Sequence, residues 1–317
     1  MSTHKRADLK KVRTISIRTR KSKISTADFA KPFDEVNDSF TDFVNALPHV
    51  LVAQDLRALV DDIVSGRKKQ RPVILMMGAH VITVGLSPVI IDLLHHRAIT
   101  AVAMNSAAAI HDVETAMWGH TSEDVAATMR NGRFGMARET GEFINTTLTE
   151  ASRSTDDGYG EALARQLVLR KAPHLGLSIL AACLALDVPA TVHAAIGTDI
   201  VHQQPTMDGA ATGEMTFRDF RMLCEVCKGL AAGGVVLNVG SAVIMPEVFL
   251  KALTVARNLG AKARSFTTAV FDMNNQYRPM MNVRLRPTQD GGRGYYVTGH
   301  HELMIPLLAA MIKNRMR

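Results

Sequence analysis

Polar side chains able to hold a ligand or move a proton recur in this sequence beside short apolar runs. His80 follows Val73-Ile74-Leu75-Met76-Met77 and the small pair Gly78-Ala79. His111 and Asp112 follow the run from Ile99 to Met104 and the small stretch Asn105-Ser106-Ala107-Ala108-Ala109. Asp199 and His202 come after Pro189 to Ala195, and Ser241 after Gly234 to Val239. Thr267 and Thr268 lie on the run Arg264 to Val270, and His300, His301 and Glu302 precede the last apolar helix. Imidazoles exchange protons near neutral pH and carboxylates hold cations, so such a set suits acid–base work on a small polar molecule. Residues so distant in sequence must meet in one crevice, which the carboxyl edge of a parallel sheet provides.

Each member also has a plainer reading. Asp112 suits a helix N-terminus as a charged cap. His193 lies inside an apolar strand, where a satisfied core histidine is expected, and His95-His96 end a helix at the surface. Adjacent residues such as His300 and His301 point apart, so at most one reaches a shared ligand. Asp199 and His202 sit in a loop after a strand, where polar residues usually have a function. His193, Asp199, His202 and His300 include metal-ligand types, but their spacing matches neither HExxH nor a Cys/His zinc pattern, and no metal is expected. Gly240-Ser241-Ala242 lacks the second glycine of a GxSxG turn, which argues against serine hydrolysis.

The elements that must position these residues alternate strand and helix. Runs of strand length, each followed by small residues and a helical pattern, predict an α/β, Rossmann-like parallel sheet with helices on both faces. Ser87-Pro88 reads as cap and first residue of a helix, whose amides would favour a phosphate in the loop before it. Phe33 to Gly66 follows helical spacing with a break at Pro48. Thr121-Ser122-Glu123-Asp124 suggests a capping box with Thr121 or Ser122 as the cap. Ser152 to Gly160 is loop, Leu177 to Leu186, Phe217 to Leu230 and Pro246 to Leu259 are helical, and Asp272 to Gly294 is a polar loop. A terminal helix starts near His301 and runs through Leu308.

With 317 residues and 47% apolar content, the chain can bury one large core. Its formal charge of +7 is local: Met1 to Lys23 hold nine Lys/Arg against one Asp, a surplus of eight that leaves the remainder at −1. Residues 1–35 therefore read as a basic arm and 36–317 as a single domain. The arm has no aromatic residue within that basic stretch for base stacking, which argues against nucleic acid. Its Val12, Ile15, Ile17 and Ile24 favour docking on another subunit of a homo-oligomer. Cys183, Cys224 and Cys227 lie in apolar helical contexts and read as core thiols, which fits a cytoplasmic protein. No apolar run approaches the ~20 residues of a membrane span, and the first residues lack a signal-peptide core.

From about Pro72 to Leu308 the chain resembles the deoxyhypusine synthase family. The end is the most similar part: Gly299-His300-His301-Glu302-Leu303-Met304-Ile305-Pro306-Leu307-Leu308 resembles the family's final cofactor loop and its apolar helix with Pro-Leu-Leu. The resemblance implies a Rossmann-like NAD-binding domain, a homotetramer and transferase chemistry on a polyamine. Ala79, His80 and Thr83, with Gly85, resemble the first loop contacting NAD, and Ser106, Ala107 and Ala108 resemble the Thr-Ala-Gly turn beneath it. Asp112 matches a carboxylate shared by NAD and the polyamine, with His111 in place of an acidic neighbour. Asp199 matches the acid of the third loop, Gly240 and Ser241 the triple-glycine loop, Thr268 and Ala269 a Thr-Ala pair at the cofactor. His300 and His301 replace an Asp-Ala pair.

One departure bears on the reaction. The family holds its aminobutyl group on a lysine before the last strand, yet no lysine occurs between Lys262 and Lys313. Arginine cannot serve as the amine nucleophile. The resemblance thus implies NAD-dependent oxidation of an amine, polyamine or amino acid to an imine, then amine transfer or release, without a lysine adduct. In that chemistry Asp112 and Asp199 are the expected carboxylates and His202 or His300 the expected base. The alternatives are a non-catalytic NAD-binding or assembly protein and an NAD-dependent amino-acid deaminase or cyclase.

Overall fold

A computed structural model describes residues 4–317. The chain divides into two units, Met1–Gln54 and Asp55–Arg317. In the first unit, α1 (Phe40–Ala46) starts at a reciprocal cap. The Ser39 hydroxyl accepts the Asp42 N–H at 3.3 Å, and the Asp42 carboxylate accepts the Ser39 N–H at 2.9 Å. Lys31 N–H donates to the Ala46 carbonyl at 2.9 Å, and Phe33 meets Phe43 edge to face. Every described residue of this unit keeps exposed or partly exposed surface. The expected helical stretch is shorter than predicted: Phe33 to Ser39 are turn and coil, and the helix resumes after Pro48 as α2 (Leu51–Lys68).

The second unit is the sheet predicted from the apolar runs. β1 (Val73–Met77), β2 (Ala101–Asn105), β3 (Ala190–His193), β4 (Val235–Val239), β5 (Thr267–Asp272) and β6 (Arg293–Thr298) are all parallel, in the order β3-β2-β1-β4-β5-β6. Every residue of β1, β4 and β5 is buried, which requires helices on both faces. The remaining helices of this unit are α3 (His80–Thr83), α4 (Ser87–His95), α5 (Ser106–Trp118), α6 (Val125–Met129), α7 (Arg138–Ser154), α8 (Tyr159–Leu169), α9 (Ile179–Ala185), α10 (Gly209–Lys228), α11 (Ile244–Asn258), α12 (Tyr277–Pro279) and α13 (His301–Met316). Ile74, Met76, Ala103, Val236 and Val270 form one core with Leu223 and Cys227 of α10 and Phe249 and Leu253 of α11. α13 packs on α4 and β5. The three cysteines are free and buried, as core thiols.

The outer edge of β3 is closed by side chains of α10. The Asp219 carboxylate accepts the Val192 N–H at 2.6 Å, the Thr216 hydroxyl donates to the Val192 carbonyl at 3.0 Å, and Thr216 Oγ1 accepts the Ala194 N–H at 3.0 Å. Asp219 also accepts the Gly160 N–H at 3.0 Å at the start of α8.

Four expectations are corrected. The segment read as a polar loop from Asp272 to Gly294 holds α12 and further helical turns, and leads into β6, a sixth strand not predicted. β5 runs later than expected, so Thr268 pairs with Val236, the second residue of β4. Asp124, not Thr121 or Ser122, caps α6 by accepting the Ala127 N–H at 3.1 Å. Ser87 is the first residue of α4 and Pro88 the second, with Leu86 at the cap.

Candidate active site

The strand order reverses between β1 and β4, and two glycines meet there. A Cβ on Gly78 would lie 2.1 Å from the Gly240 carbonyl oxygen, so both loops approach backbone to backbone. Gly240 has a φ of +65°, and a Cβ there would come within 3.0 Å of the His301 ring. His301 is buried; its Nε2–H donates to the Phe271 carbonyl at 3.1 Å, and its ring meets His80 edge to face at 5.3 Å. With Nε2 carrying the proton, Nδ1 is an acceptor, and it is buried without a protein partner. Gly85, at a φ of +78°, has open space where a Cβ would be. Ser241 is buried, and its hydroxyl accepts the Met245 N–H at 3.2 Å at the start of α11.

A cavity of about 720 Å³ opens between the helix that follows β2 and the loop that follows β3. One face of α5 lines it: Ala107, Ile110, His111, Glu114 and Trp118 recur at helical spacing. α5 starts at Asn105, whose side chain accepts the Ala108 N–H at 3.0 Å. Facing α5 are the loop from His120 to Glu123, residues from Phe134 to Thr140, and Thr198 to Ile200 of the loop after β3. Glu114, Glu123, Glu139 and Asp199 give the lining four carboxylates and no lysine or arginine. Glu139 is exposed and pairs with Arg138 outside, whereas Glu114 and Asp199 are largely buried.

The buried groups are bound into two small networks. Asp199 accepts the Ser106 hydroxyl, which ties the loop after β3 to the first turn of α5. Burial raises its carboxyl above the ordinary range, opposed by Ser106, His202 and His111. The His202 Nδ1 accepts the N–H groups of Gly197 at 3.1 Å and Asp199 at 3.2 Å, which leaves Nε2 with the proton and no protein partner. In the second network the Thr121 hydroxyl lies between His111 Nδ1 and Glu114, to which it donates. The Thr140 hydroxyl donates to the other oxygen of Glu114 at 2.9 Å. Burial lowers the His111 imidazole below its usual range, with Glu114 and Asp199 acting against that shift.

The structure therefore gathers Ser106, Ala107 and Asp199 at the cavity, with His202 behind Asp199. Ala79, His80, Gly240, Ser241 and His301 lie at the switch point. Thr83 ends α3, donating to the His80 carbonyl at 3.2 Å. Other expected residues are elsewhere. Asp112 is fully buried on another face of α5 and caps α9, accepting the Ser178 hydroxyl at 2.5 Å and the N–H groups of Ile179 at 2.7 Å and Leu180 at 3.3 Å. Its carboxylate does not line the cavity. Thr268 and Ala269 are buried in the first half of β5, away from its carboxyl end, because the strand starts later than predicted. His300 caps α13 without a side-chain bond and is 66% exposed beside Glu302. His193 is a core histidine beside Thr191, pushed down to about 3 by burial.

Glu114, Thr121 and Thr140 were not singled out from sequence as site residues. The helical repeat from Ala107 through His111 to Glu114 was the signal available for the first; nothing local marked the other two. Among the described residues no three His, Cys, Asp or Glu side chains are grouped to hold a metal ion. No described helix is long and apolar enough to cross a membrane.

No family model and no curated protein matches the chain. Solved structures do. ArgZ, an arginine dihydrolase from the ornithine–ammonia cycle in cyanobacteria, is similar with a TM-score of 0.53 at 16% identity, over 83% of this chain and 32% of its own. AgrE in complex with ornithine and NAD+ gives 0.53 at 14% identity, over 83% of this chain and 33% of its own. A protein assigned as a deoxyhypusine synthase from Entamoeba histolytica gives 0.50 at 12% identity, over 90% of this chain and 98% of its own. The chain thus spans about a third of the length of ArgZ and AgrE. At these identities the likeness establishes the fold, a Rossmann-like parallel sheet of the kind seen in a deoxyhypusine synthase.

Proposed function

We propose that the protein is an NAD-dependent enzyme that oxidises a small amine, polyamine or amino acid at the carbon bearing nitrogen. The observation that carries this reading is the cavity at the carboxyl edge, with four carboxylates and no fixed cation in its lining. Walls of one charge sign concentrate ligands of the other, here an ammonium or guanidinium group. The dinucleotide fits the switch point beside it: Gly78, Gly85 and Gly240 leave backbone bare there, and His301 Nδ1 is a buried acceptor awaiting a donor. When bound, NAD supplies the hydride acceptor. Ala79, His80 and Thr83 on one side and Ser106, Ala107 and Ala108 on the other continue the frame, since α3 packs on α5. Asp199, fixed by Ser106, orients the ammonium, and His202 anchors the Asp199 loop through its backbone bonds.

The imine formed passes to water or to a second amine. No lysine lines the cavity, which favours release, as in a deaminase or cyclase, over transfer through a protein lysine. The exposed Leu9, Ile15 and Ile17 support a homo-oligomer, a tetramer by resemblance, in which the basic arm lies on a neighbouring subunit. The buried free thiols suit the reducing cytoplasm.

Calorimetry with NAD, followed by NADH absorbance with ornithine, arginine, putrescine and spermidine, tests the reading. NAD binding and NADH formation with at least one of these amines are expected. Absence of NAD binding at millimolar concentration overturns the cofactor. Binding without hydride transfer for any amine replaces the enzyme by a non-catalytic dinucleotide-binding protein. Light scattering that gives a monomer at micromolar concentration removes the oligomer.

A further inference from the structure

We propose that His111 is the proton acceptor of the acidic cavity, held by Thr121 and Glu114 in the tautomer whose Nε2 lone pair is free to face the ligand. The inference rests on the amine reading of that cavity and adds a residue that the resemblance does not supply. A threonine hydroxyl has one proton. Here Thr121 donates it to Glu114, so the short contact to His111 Nδ1 must be a hydrogen bond donated by Nδ1. A neutral imidazole protonated at Nδ1 carries its lone pair on Nε2. His111 lines the cavity and keeps 20% of its side chain accessible.

The same arrangement prepares the charged form. Taking a proton at Nε2 creates an imidazolium whose Nδ1–H already points to a hydroxyl backed by a carboxylate, so no group must turn. Thr140 holds the second Glu114 oxygen and fixes the carboxylate in place. The charged and titratable groups around His111 are Glu114 on its own helix, Asp199 from the loop after β3, His120 and Glu123 from the loop after α5, and Glu139 of α7. Burial keeps the imidazole neutral near pH 7, the form that can accept.

In the reaction, an N–H bond of the substrate ammonium breaks and an Nε2–H bond forms, giving a neutral amine and the His111 imidazolium. The carbon–hydrogen bond next to nitrogen then breaks, its electron pair leaves as hydride to the proposed dinucleotide, and the nitrogen lone pair forms the C=N bond. The carbon is oxidised and NAD is reduced. The product is an iminium ion, and the proton taken first remains on His111.

Three measurements decide the matter, and the first two need no turnover. Long-range nitrogen–proton NMR of the full chain, with the His111 signals identified by their loss in His111→Gln, should show Nδ1 protonated and Nε2 bare at pH 7.5. Thr121→Val, which removes the hydroxyl while keeping the side-chain volume, should abolish that preference. A proton on Nε2 in the wild type overturns the proposal. The second is putrescine binding against pH: protonation of His111, and of Asp199 whose carboxyl burial raises, both oppose the cation, so affinity should rise with pH, and His111→Gln should keep only the Asp199 part of that rise. An unchanged pH profile in the variant also overturns it. Where an amine in the panel yields NADH, His111→Gln should lower the rate ~100-fold with little change in the amine KM. An undiminished rate overturns the catalytic role. Failure of the dehydrogenase reading shows instead as no NADH from the wild type, with the tautomer and binding results still deciding whether His111 accepts the proton in the cavity.

Discussion

Asp112→Asn separates a helix cap from a ligand-binding carboxylate. In the folded protein Asp112 is fully buried at the N-terminus of α9 and its carboxyl is raised from 3.8 to about 6, mainly by burial, against the bonds from Ser178, Ile179 and Leu180. In the unfolded chain it titrates near ~3.9. Between the two values the native state keeps a proton that the unfolded chain has lost. The stability from this residue is therefore full below about pH 4 and is lost as pH rises through about 6, by ~3 kcal/mol in all. Asparagine has no such titration. It keeps one oxygen for the α9 amides and loses the second, which costs ~1–2 kcal/mol where Asp112 is protonated. Urea unfolding followed by circular dichroism should find the variant less stable than wild type near pH 4.5 and equal or more stable near pH 8. Asp219, raised to about 7 by the same kind of burial, titrates in both proteins and cancels in the difference. NAD and putrescine affinities should not change. A stability difference independent of pH, or a tenfold loss of NAD affinity at wild-type stability, would refute the assignment of Asp112 to the cap.

Gly78→Ala places a methyl group 2.1 Å from the Gly240 carbonyl, and two backbones must part; a cost of ~1–3 kcal/mol in thermal or urea unfolding is expected, together with weaker NAD binding. Wild-type stability would mean that the loops are not in contact. Glu114→Gln removes a largely buried carboxylate and the Thr121 acceptor charge, and should reduce putrescine affinity ~10-fold by calorimetry; an equal affinity would show that the cavity does not recognise cations. Borohydride treatment with spermidine and NAD should leave the intact mass unchanged, because no lysine lines the cavity; an adduct on any lysine would show that imine chemistry uses a residue from outside it.

The strands of the sheet interior were legible because five-residue apolar runs buried on both faces have few other uses. β6 was not, since Arg293-Gly294-Tyr295-Tyr296 is an edge sequence with one polar side and follows a polar segment. The misplacement of Thr268 and Ala269 came from the bounds of β5: ending the strand at Val270 rather than Asp272 brings residues from its first half near the carboxyl edge. His111 and Asp112 show a different limit. They are adjacent, so a helix turns them to different faces, and only the packing of α9 reveals which one is sequestered. Thr121 and Thr140 meet Glu114 through the stretch from Gly119 to Ala137, where little local pattern constrains the chain path.

The side-chain bonds from α10 to β3 also govern motion. Residues 194–208, which carry Asp199 and His202, leave β3 and return to α10, and Thr216 and Asp219 fasten that helix back onto Val192 and Ala194. Both ends of the segment are thus pinned to the same three-residue stretch of backbone, Val192 to Ala194, like a strap riveted at one point. Such a closed strap has few large-amplitude modes: it can breathe at its crown, around Gly197, but swinging as a whole would strain the buried Asp219 bond and the partly buried Thr216 bonds at its base. Ligand exchange should then be governed by the less tethered wall across the cavity, and hydrogen exchange should run slow at Val192 and Ala194 and fast between His120 and Phe134.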